Sequence, residues 1–255
     1  MNMALDEALY EAVAAGESPP VLRLYRWEPA AVTLGYAQRS KNAVNLSACK
    51  DNGIDIVRRS TGGRAVLHKD EVTYALIAPV DDPLFVGGIL KSYRAIATPL
   101  QRLLIKLGIE AELVPARHGV QGTSNDICFT APASYELAVN GQKIAGSAQK
   151  RNERAFLQHG SIPVDLDLEL LATLLGGAET ASLPALCSQL EQKVGWINRY
   201  LESPVTLDQF ELAMVDSFRE SLPVQWQPCA PGKDELMRAR QLHDERFSCD
   251  PFPEK

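Results

Sequence analysis

Ser134–Val164, SYELAVNGQKIAGSAQKRNERAFLQHGSIPV, decides the fold. Ser134 to Val139 reads as a strand, and Asn140-Gly141 is the strongest hairpin signal in the chain, because both residues tolerate the positive φ of a tight turn. Gln142 to Lys150 returns antiparallel, and a second turn at Asn152-Glu153 leads into Ala155 to Val164. Three successive strands make a meander, with Lys143, Gly146, Ser147, His159 and Gly160 distributed along it.

Upstream, Val57 to Tyr74 reads VRRSTGGRAVLHKDEVTY. A strand over Ile54 to Arg59 delivers the chain into Ser60-Thr61-Gly62-Gly63, and strand character resumes from Val72 to Val80. A glycine pair after a strand is most simply a turn with positive φ. With Arg59, Arg64 and His68 flanking it, the pair also lets backbone amides approach an anionic or carbonyl group. It is neither a Rossmann fingerprint nor a Walker loop, since no helix pattern follows at once.

The remaining periodicity predicts scaffold. Leu5, Ala8, Leu9, Ala12 and Val13 follow helical spacing up to Gly16, with Asp6 and Glu7 expected in the first turn. Val21 to Trp27 and Ala31 to Tyr36 read as strands joined at Glu28-Pro29, and a short helix runs from about Asn42 to Gly53. Ile89 to Leu107 carries the strongest helical stripe, which Pro99 is expected to kink or split. Ile109 to Val114 is expected as a strand, and Pro115 to Asp126 as a mobile surface loop. Beyond Asp165 the pattern turns helical: Leu168 to Leu175, a capping box at Thr206 and Gln209, and a last helix marked by Leu236 and Leu242. These patterns predict an α+β fold, a mixed, largely antiparallel β-sheet flanked by helices.

A chain of 255 residues with 45% hydrophobic content supports one substantial core. No apolar run is long enough for a membrane helix and no signal-peptide order opens the chain, so a cytoplasmic protein without membrane contact is expected. The net charge of −6 argues against nucleic-acid binding. The five cysteines, Cys49, Cys128, Cys187, Cys229 and Cys249, are scattered and contain no C-x-x-C, so neither a disulfide framework nor a metal site is expected. Arg58, Arg59, Arg64, Lys69, Lys143, Lys150, Arg151 and Arg154 come from two segments only; packed together, they form one basic face for an anionic partner. Singly, each also suits a solvated strand edge.

Most lone cysteines behave as small hydrophobes. Cys128 differs, because it ends a polar loop and precedes a hairpin that brings Lys143 round. An ammonium beside a thiol lowers the thiol pKa and makes a thiolate nucleophile available at neutral pH.

NMALDEAL near the N-terminus, RRSTGGRAVLH, and CFTAPASYELAVNGQKIAGSAQKRNERAFLQHGSI together resemble the biotin/lipoate protein ligase superfamily, and within it the cysteine-bearing octanoyltransferases of lipoate assembly. The resemblance covers roughly residues 2–165 well and the tail loosely. Family members usually carry a short strand before the segment matching NMALDEAL, so either an edge strand is missing or the start lies upstream. The resemblance implies a catalytic domain over 1–203 with a short helical extension over 204–255 packed on it. It implies that Cys128 becomes an acyl-thioester, that Lys143 lowers its pKa, and that Arg59, Gly62, Gly63, Arg64, His68, Gly146, Ser147, Ala148, His159 and Gly160 surround the substrate. The donor would be octanoyl on the phosphopantetheine of acyl carrier protein, and the acceptor a lysine of a lipoyl domain such as glycine-cleavage H protein. No permanently bound cofactor or metal is expected, and a monomer is. Three other readings share these motifs: an ATP-dependent lipoate ligase, which alone would need ATP and Mg; an amidotransferase between lipoyl proteins; and a non-catalytic acyl-carrier or lipoyl-domain binder.

Overall fold

The structure is a computed structural model that describes residues 1–38, 43–114, 136–175 and 182–249. The loop expected over Pro115 to Asp126 lies outside them, as does Cys128.

Two sheets face each other. The larger is fully antiparallel in the order β1 (Val21–Tyr25), β5 (Glu71–Pro79), β9 (Ala155–Pro163), β8 (Gln142–Arg151), β7 (Glu136–Val139) and β6 (Glu112–Val114). The smaller has β2 (Ala31–Leu34) at its centre, parallel to β3 (Asp55–Arg58) and antiparallel to β4 (Val66–His68). The mixed, largely antiparallel sheet and the β7–β8–β9 meander expected from the sequence are both present. The hairpin at Asn140-Gly141 takes φ values of 51° and 78°, the pair of positive angles that this dipeptide permits. β4 is an addition: three residues are too few to show a period of two.

α1 (Asn2–Ala15) covers one face of the large sheet and ends where Gly16 turns left-handed at φ 78°. It starts early enough that Asp6 and Glu7 fall beyond the first turn, and both are buried rather than exposed. Each has a cation: Arg23 pairs with Asp6, and Lys150 with Glu7. Lys150 also sits 4.2 Å from the Tyr10 ring centroid. Arg59 and Lys143 are likewise turned inward, so these three do not join a single basic face as expected.

On the opposite face, α3 (Ile89–Lys106) runs through Pro99 as one helix. The expected split does not occur, because Leu100, Leu103 and Leu104 share a core with Phe210, Met214 and Phe218 of α6 (Leu207–Ser221). Full burial of each such side chain gains about 1.5–3 kcal/mol, which offsets the lost backbone bond. Ser217 adds a 2.6 Å bond to the Pro99 carbonyl. α6 begins with the expected capping box: Thr206 Oγ1 accepts from Gln209 N at 3.2 Å, and Gln209 Oε1 accepts from Thr206 N at 2.8 Å. α2 (Leu46–Asp51), α4 (Leu168–Leu175) and α5 (Leu183–Glu191) wrap the small sheet, and α7 (Lys233–Leu242) packs on α1.

Candidate active site

Between the two sheets lies a cavity of about 260 Å³. Tyr25, Thr73, Ser161 and Gly146 stand in one cross-strand row of its floor, on β1, β5, β9 and β8. Three inter-strand steps make that row about 14 Å long. Met3, Trp27 and Val66 add apolar walls, and the glycine turn supplies Arg59, Gly63 and Arg64 from the small sheet's side.

The glycine turn is held by one side chain. Arg59 Nη1 donates to the carbonyl and the hydroxyl of Thr33, each at 3.0 Å, while Nη2 donates to Gly62 O at 2.7 Å and Arg64 O at 2.8 Å. Only a planar five-donor fork reaches a strand and both ends of the turn together. Gly63 has φ 95°, which its lack of a Cβ permits.

Two buried histidines brace this arrangement. His68 Nδ1 lies 2.7 Å from Glu71 Oε1, and its Nε2 lies 2.9 Å from Thr33 Oγ1. Since the carboxylate only accepts, a proton belongs on Nδ1, and Nε2 shares the other bond with the Thr33 hydroxyl. The Trp27 ring stacks on His68 with centroids 4.4 Å apart. Glu71 also accepts from Thr73 and Ser161, so its burial is matched by donors. His159 Nε2 meets Thr61 Oγ1 at 2.6 Å and so ties β9 to the turn. Its Nδ1 is buried without a hydrogen-bond partner, 3.7 Å from Asp6 Oδ2. Burial pushes the His159 pKa below its ordinary value against the pull of Asp6, which leaves the imidazole neutral at pH 7.

Lys143 lies just past the Asn140-Gly141 turn. Its main chain is clamped from outside the sheet: Lys143 N donates to Lys193 O at 2.9 Å, and Gly195 N donates to Lys143 O at 2.8 Å. Its ammonium pairs with the Glu136 carboxylate, with side-chain exposures of 11% and 8%. Both residues line the cavity.

Of the residues expected around the substrate, Arg59, Gly63, Arg64, His68, Gly146, Ser147, Ala148, His159 and Gly160 line this cavity, as does Lys143, expected to act beside Cys128. Gly62 does not; its carbonyl instead receives Arg59. Cys128 lies outside the described residues. Sequence reasoning missed Glu136, Thr33, Trp27 and Thr73. It also missed Gly35, whose place against Gly63 leaves no room for a Cβ. The glycine itself, at the end of a strand, was the available signal.

A two-sheet α+β domain with an apolar slot, a clamped glycine turn and a lysine half-buried on the slot's wall defines a catalytic domain of the lipoate ligase type. Residues 1–219 match the family model for the lipoyl protein ligase A/B catalytic domain, and the chain belongs to that family. It is 38% identical over 254 residues to Octanoyltransferase LipM of Lysinibacillus sphaericus (strain C3-41), covering 98% of this chain and 92% of the relative. To Octanoyltransferase LipM of Bacillus subtilis (strain 168) it is 34% identical, covering 98% and 91%. Among solved structures, a putative lipoate protein ligase from T. acidophilum with bound lipoic acid superposes with a TM-score of 0.78 at 27% identity, over 98% of this chain and 91% of that one.

Proposed function

We propose that this protein is an octanoyl-[acyl carrier protein]:protein N-octanoyltransferase of lipoate biosynthesis. The observation that carries the reading is the apolar slot between the sheets with Lys143 on its wall. Near-full-length likeness to proteins named octanoyltransferases agrees with it.

In this reading the Cys128 thiolate attacks the carbonyl carbon of the octanoyl-phosphopantetheine thioester. A new S–C bond forms, the pantetheine S–C bond breaks, and the pantetheine thiolate takes up the proton that Cys128 gave up. The ε-amine of a lipoyl-domain lysine then attacks the Cys128 thioester, forming C–N and breaking C–S. The amine's surplus proton restores the thiol. The Lys143 ammonium and the backbone of Gly146 to Ala148, which lines the slot, are the groups assigned to the developing oxyanion. The slot supplies binding energy: six methylenes at about 0.8 kcal/mol each contribute about 5 kcal/mol. No bound cofactor or metal takes part. The protein works in the cytoplasm as a monomer, with acyl carrier protein as donor partner and a lipoyl-domain protein such as glycine-cleavage H protein as acceptor. The packing of α6 on α3 and of α7 on α1 supports reading 204–255 as an extension of a 1–203 catalytic unit, and none of the described residues of that extension lines the slot.

The test is incubation with octanoyl-acyl carrier protein in the absence of ATP, read by intact mass. A hydroxylamine-labile octanoyl adduct that disappears in Cys128→Ala is expected. No adduct, or one that persists in that variant, would sink the reading, and an ATP requirement would point to a ligase.

A further inference from the structure

We propose that Glu71 is a positioning residue that fits the slot to an unsubstituted acyl chain: from behind the wall it holds the Thr73 and Ser161 hydroxyl protons and the His68 N–H, so that these donors do not face the chain. The inference rests on the octanoyltransferase reading and deepens it.

An alkyl chain is expected in a slot that is bordered by five hydroxyl residues, Tyr25, Thr33, Thr73, Ser147 and Ser161. Each of them is bonded within the protein. Tyr25 donates to Asp6 at 2.7 Å, Thr33 shares a bond with His68 Nε2 at 2.9 Å, and Ser147 shares one with the Tyr74 hydroxyl at 2.8 Å. Thr73 and Ser161 donate to Glu71. An alkyl chain accepts no hydrogen bond, so a donor turned towards it would be left unpartnered and would hold water in the slot instead.

Glu71 is placed to serve both walls at once. Asp70, at φ 51°, turns the chain from β4 into β5, so that Glu71 stands where the small sheet meets the large one, 2% exposed. Its Oε1 takes His68 Nδ1 at 2.7 Å from the small sheet and the Thr73 hydroxyl from the large one. Its Oε2 takes the hydroxyl of Ser161, which the register sets directly opposite Thr73. Trp27 Nε1 donates to Thr73 Oγ1 at 2.9 Å, so that hydroxyl is occupied as donor and as acceptor. His68, Thr73, Ser161 and Trp27 border the slot and Glu71 does not, so Glu71 reaches the chain only through them.

The position calls for two accepting oxygens. A carboxamide offers one acceptor and one donor group. Its oxygen could keep His68 and Thr73, but its nitrogen would then donate to Ser161, whose hydroxyl would have to turn its own proton towards the slot. Glu71→Gln therefore keeps the shape of the site and adds a donor to its floor. Ser161 and Thr73 lie one and two strand spacings from Gly146, about 5 and 10 Å along the row, so the new donor meets the chain beyond its carbonyl end.

The experiment is a competition between octanoyl- and 6-hydroxyoctanoyl-acyl carrier protein, with the two adducts read by intact mass in the wild type, Glu71→Gln and Glu71→Gln/Ser161→Ala. The wild type should favour octanoyl. In Glu71→Gln that preference should fall at least about fivefold, because the plain chain now leaves a donor unpartnered and the hydroxylated one satisfies it. Glu71→Gln/Ser161→Ala lacks the turned hydroxyl and should recover most of the preference. A merely structural role would slow both donors alike, so an unchanged ratio in Glu71→Gln, or no recovery in the double variant, overturns the inference. If Glu71→Gln does not fold, Glu71→Asp carries the test: its carboxylate is drawn back by one methylene and should lower the preference in the same direction, and an unmoved ratio overturns the inference. Should the wild type form no adduct, the functional reading fails instead, and the slot is followed by calorimetric titration with octanoic and 6-hydroxyoctanoic acid. The ratio of their Kd values should shift in Glu71→Gln as the adduct ratio would. An unchanged ratio, or no binding of octanoic acid by the wild type, overturns the inference there.

Discussion

Gly35 and Gly63 meet backbone to backbone: a Cβ on Gly35 would lie 1.9 Å from the Gly63 carbonyl oxygen. The end of β2 and the glycine turn are therefore in direct contact, and the turn cannot settle if either position carries a side chain. Gly35→Ala should displace the turn and cost about 1–3 kcal/mol, the usual range for overpacking. Gly62 has nothing within 4 Å of its would-be Cβ, so Gly62→Ala should change stability by no more than about 0.5 kcal/mol. Urea unfolding of the two variants checks the contrast, and equal losses would refute it.

Arg59 binds the turn through donors on all three guanidinium nitrogens, one of them Nε to Gly62 O at 3.2 Å. Lysine carries a single ammonium and cannot reach Thr33, Gly62 and Arg64 together. Arg59→Lys should thus strand buried acceptors and lose about 2–3 kcal/mol, despite keeping the charge. A denaturation midpoint close to that of the wild type would show that charge alone holds the turn.

His159 gives the molecule a pH dependence of definite sign. Its folded-state pKa lies below the ordinary value, chiefly because it is buried. The unfolded chain therefore binds more protons in the acid range, and stability is fully present above about pH 6.5 and falls as pH drops below it. His159→Gln retains a partner for Thr61 but cannot titrate. Between about pH 7 and pH 5 the variant should lose less stability than the wild type. Thermal unfolding across that range is the measurement, and parallel slopes would rule His159 out as the source.

The parts of this structure that were legible in the sequence obey local rules. Asn140-Gly141 announces its hairpin because the two positive φ angles select those residues, and Thr206 with Gln209 announces its cap three residues apart. Most of the residues around the slot were legible because they cluster in two strand-and-turn segments. What stayed hidden is set by distant partners. Asp6 and Glu7 look like a solvated helix start until Arg23 and Lys150 arrive from strands to neutralise them. Pro99 looks like a break until α6 packs over it. Glu136 lies seven residues from Lys143, but a register shift at Leu137/Ala138 breaks the alternation that would have placed it.

The shape of the slot makes chain length adjustable at a defined place. Ala148 lies on β8 opposite His159, lines the cavity, and leaves it open by being small. Ala148→Leu should fill part of the space that the proposed function gives to the outer methylenes of an octanoyl chain, while Lys143, five positions earlier on the same strand, keeps its clamp. Each methylene excluded forfeits about 0.8 kcal/mol, about fourfold in binding. The variant should therefore lose rate with octanoyl-acyl carrier protein far more than with the butanoyl or hexanoyl forms, and its preference should move to the shorter chain. Competition among the three donors, read by adduct mass, decides the matter. A uniform loss across all three would mean that Ala148 supports the fold without bordering the chain, and the acyl group would then have to lie elsewhere along the Tyr25-to-Gly146 row.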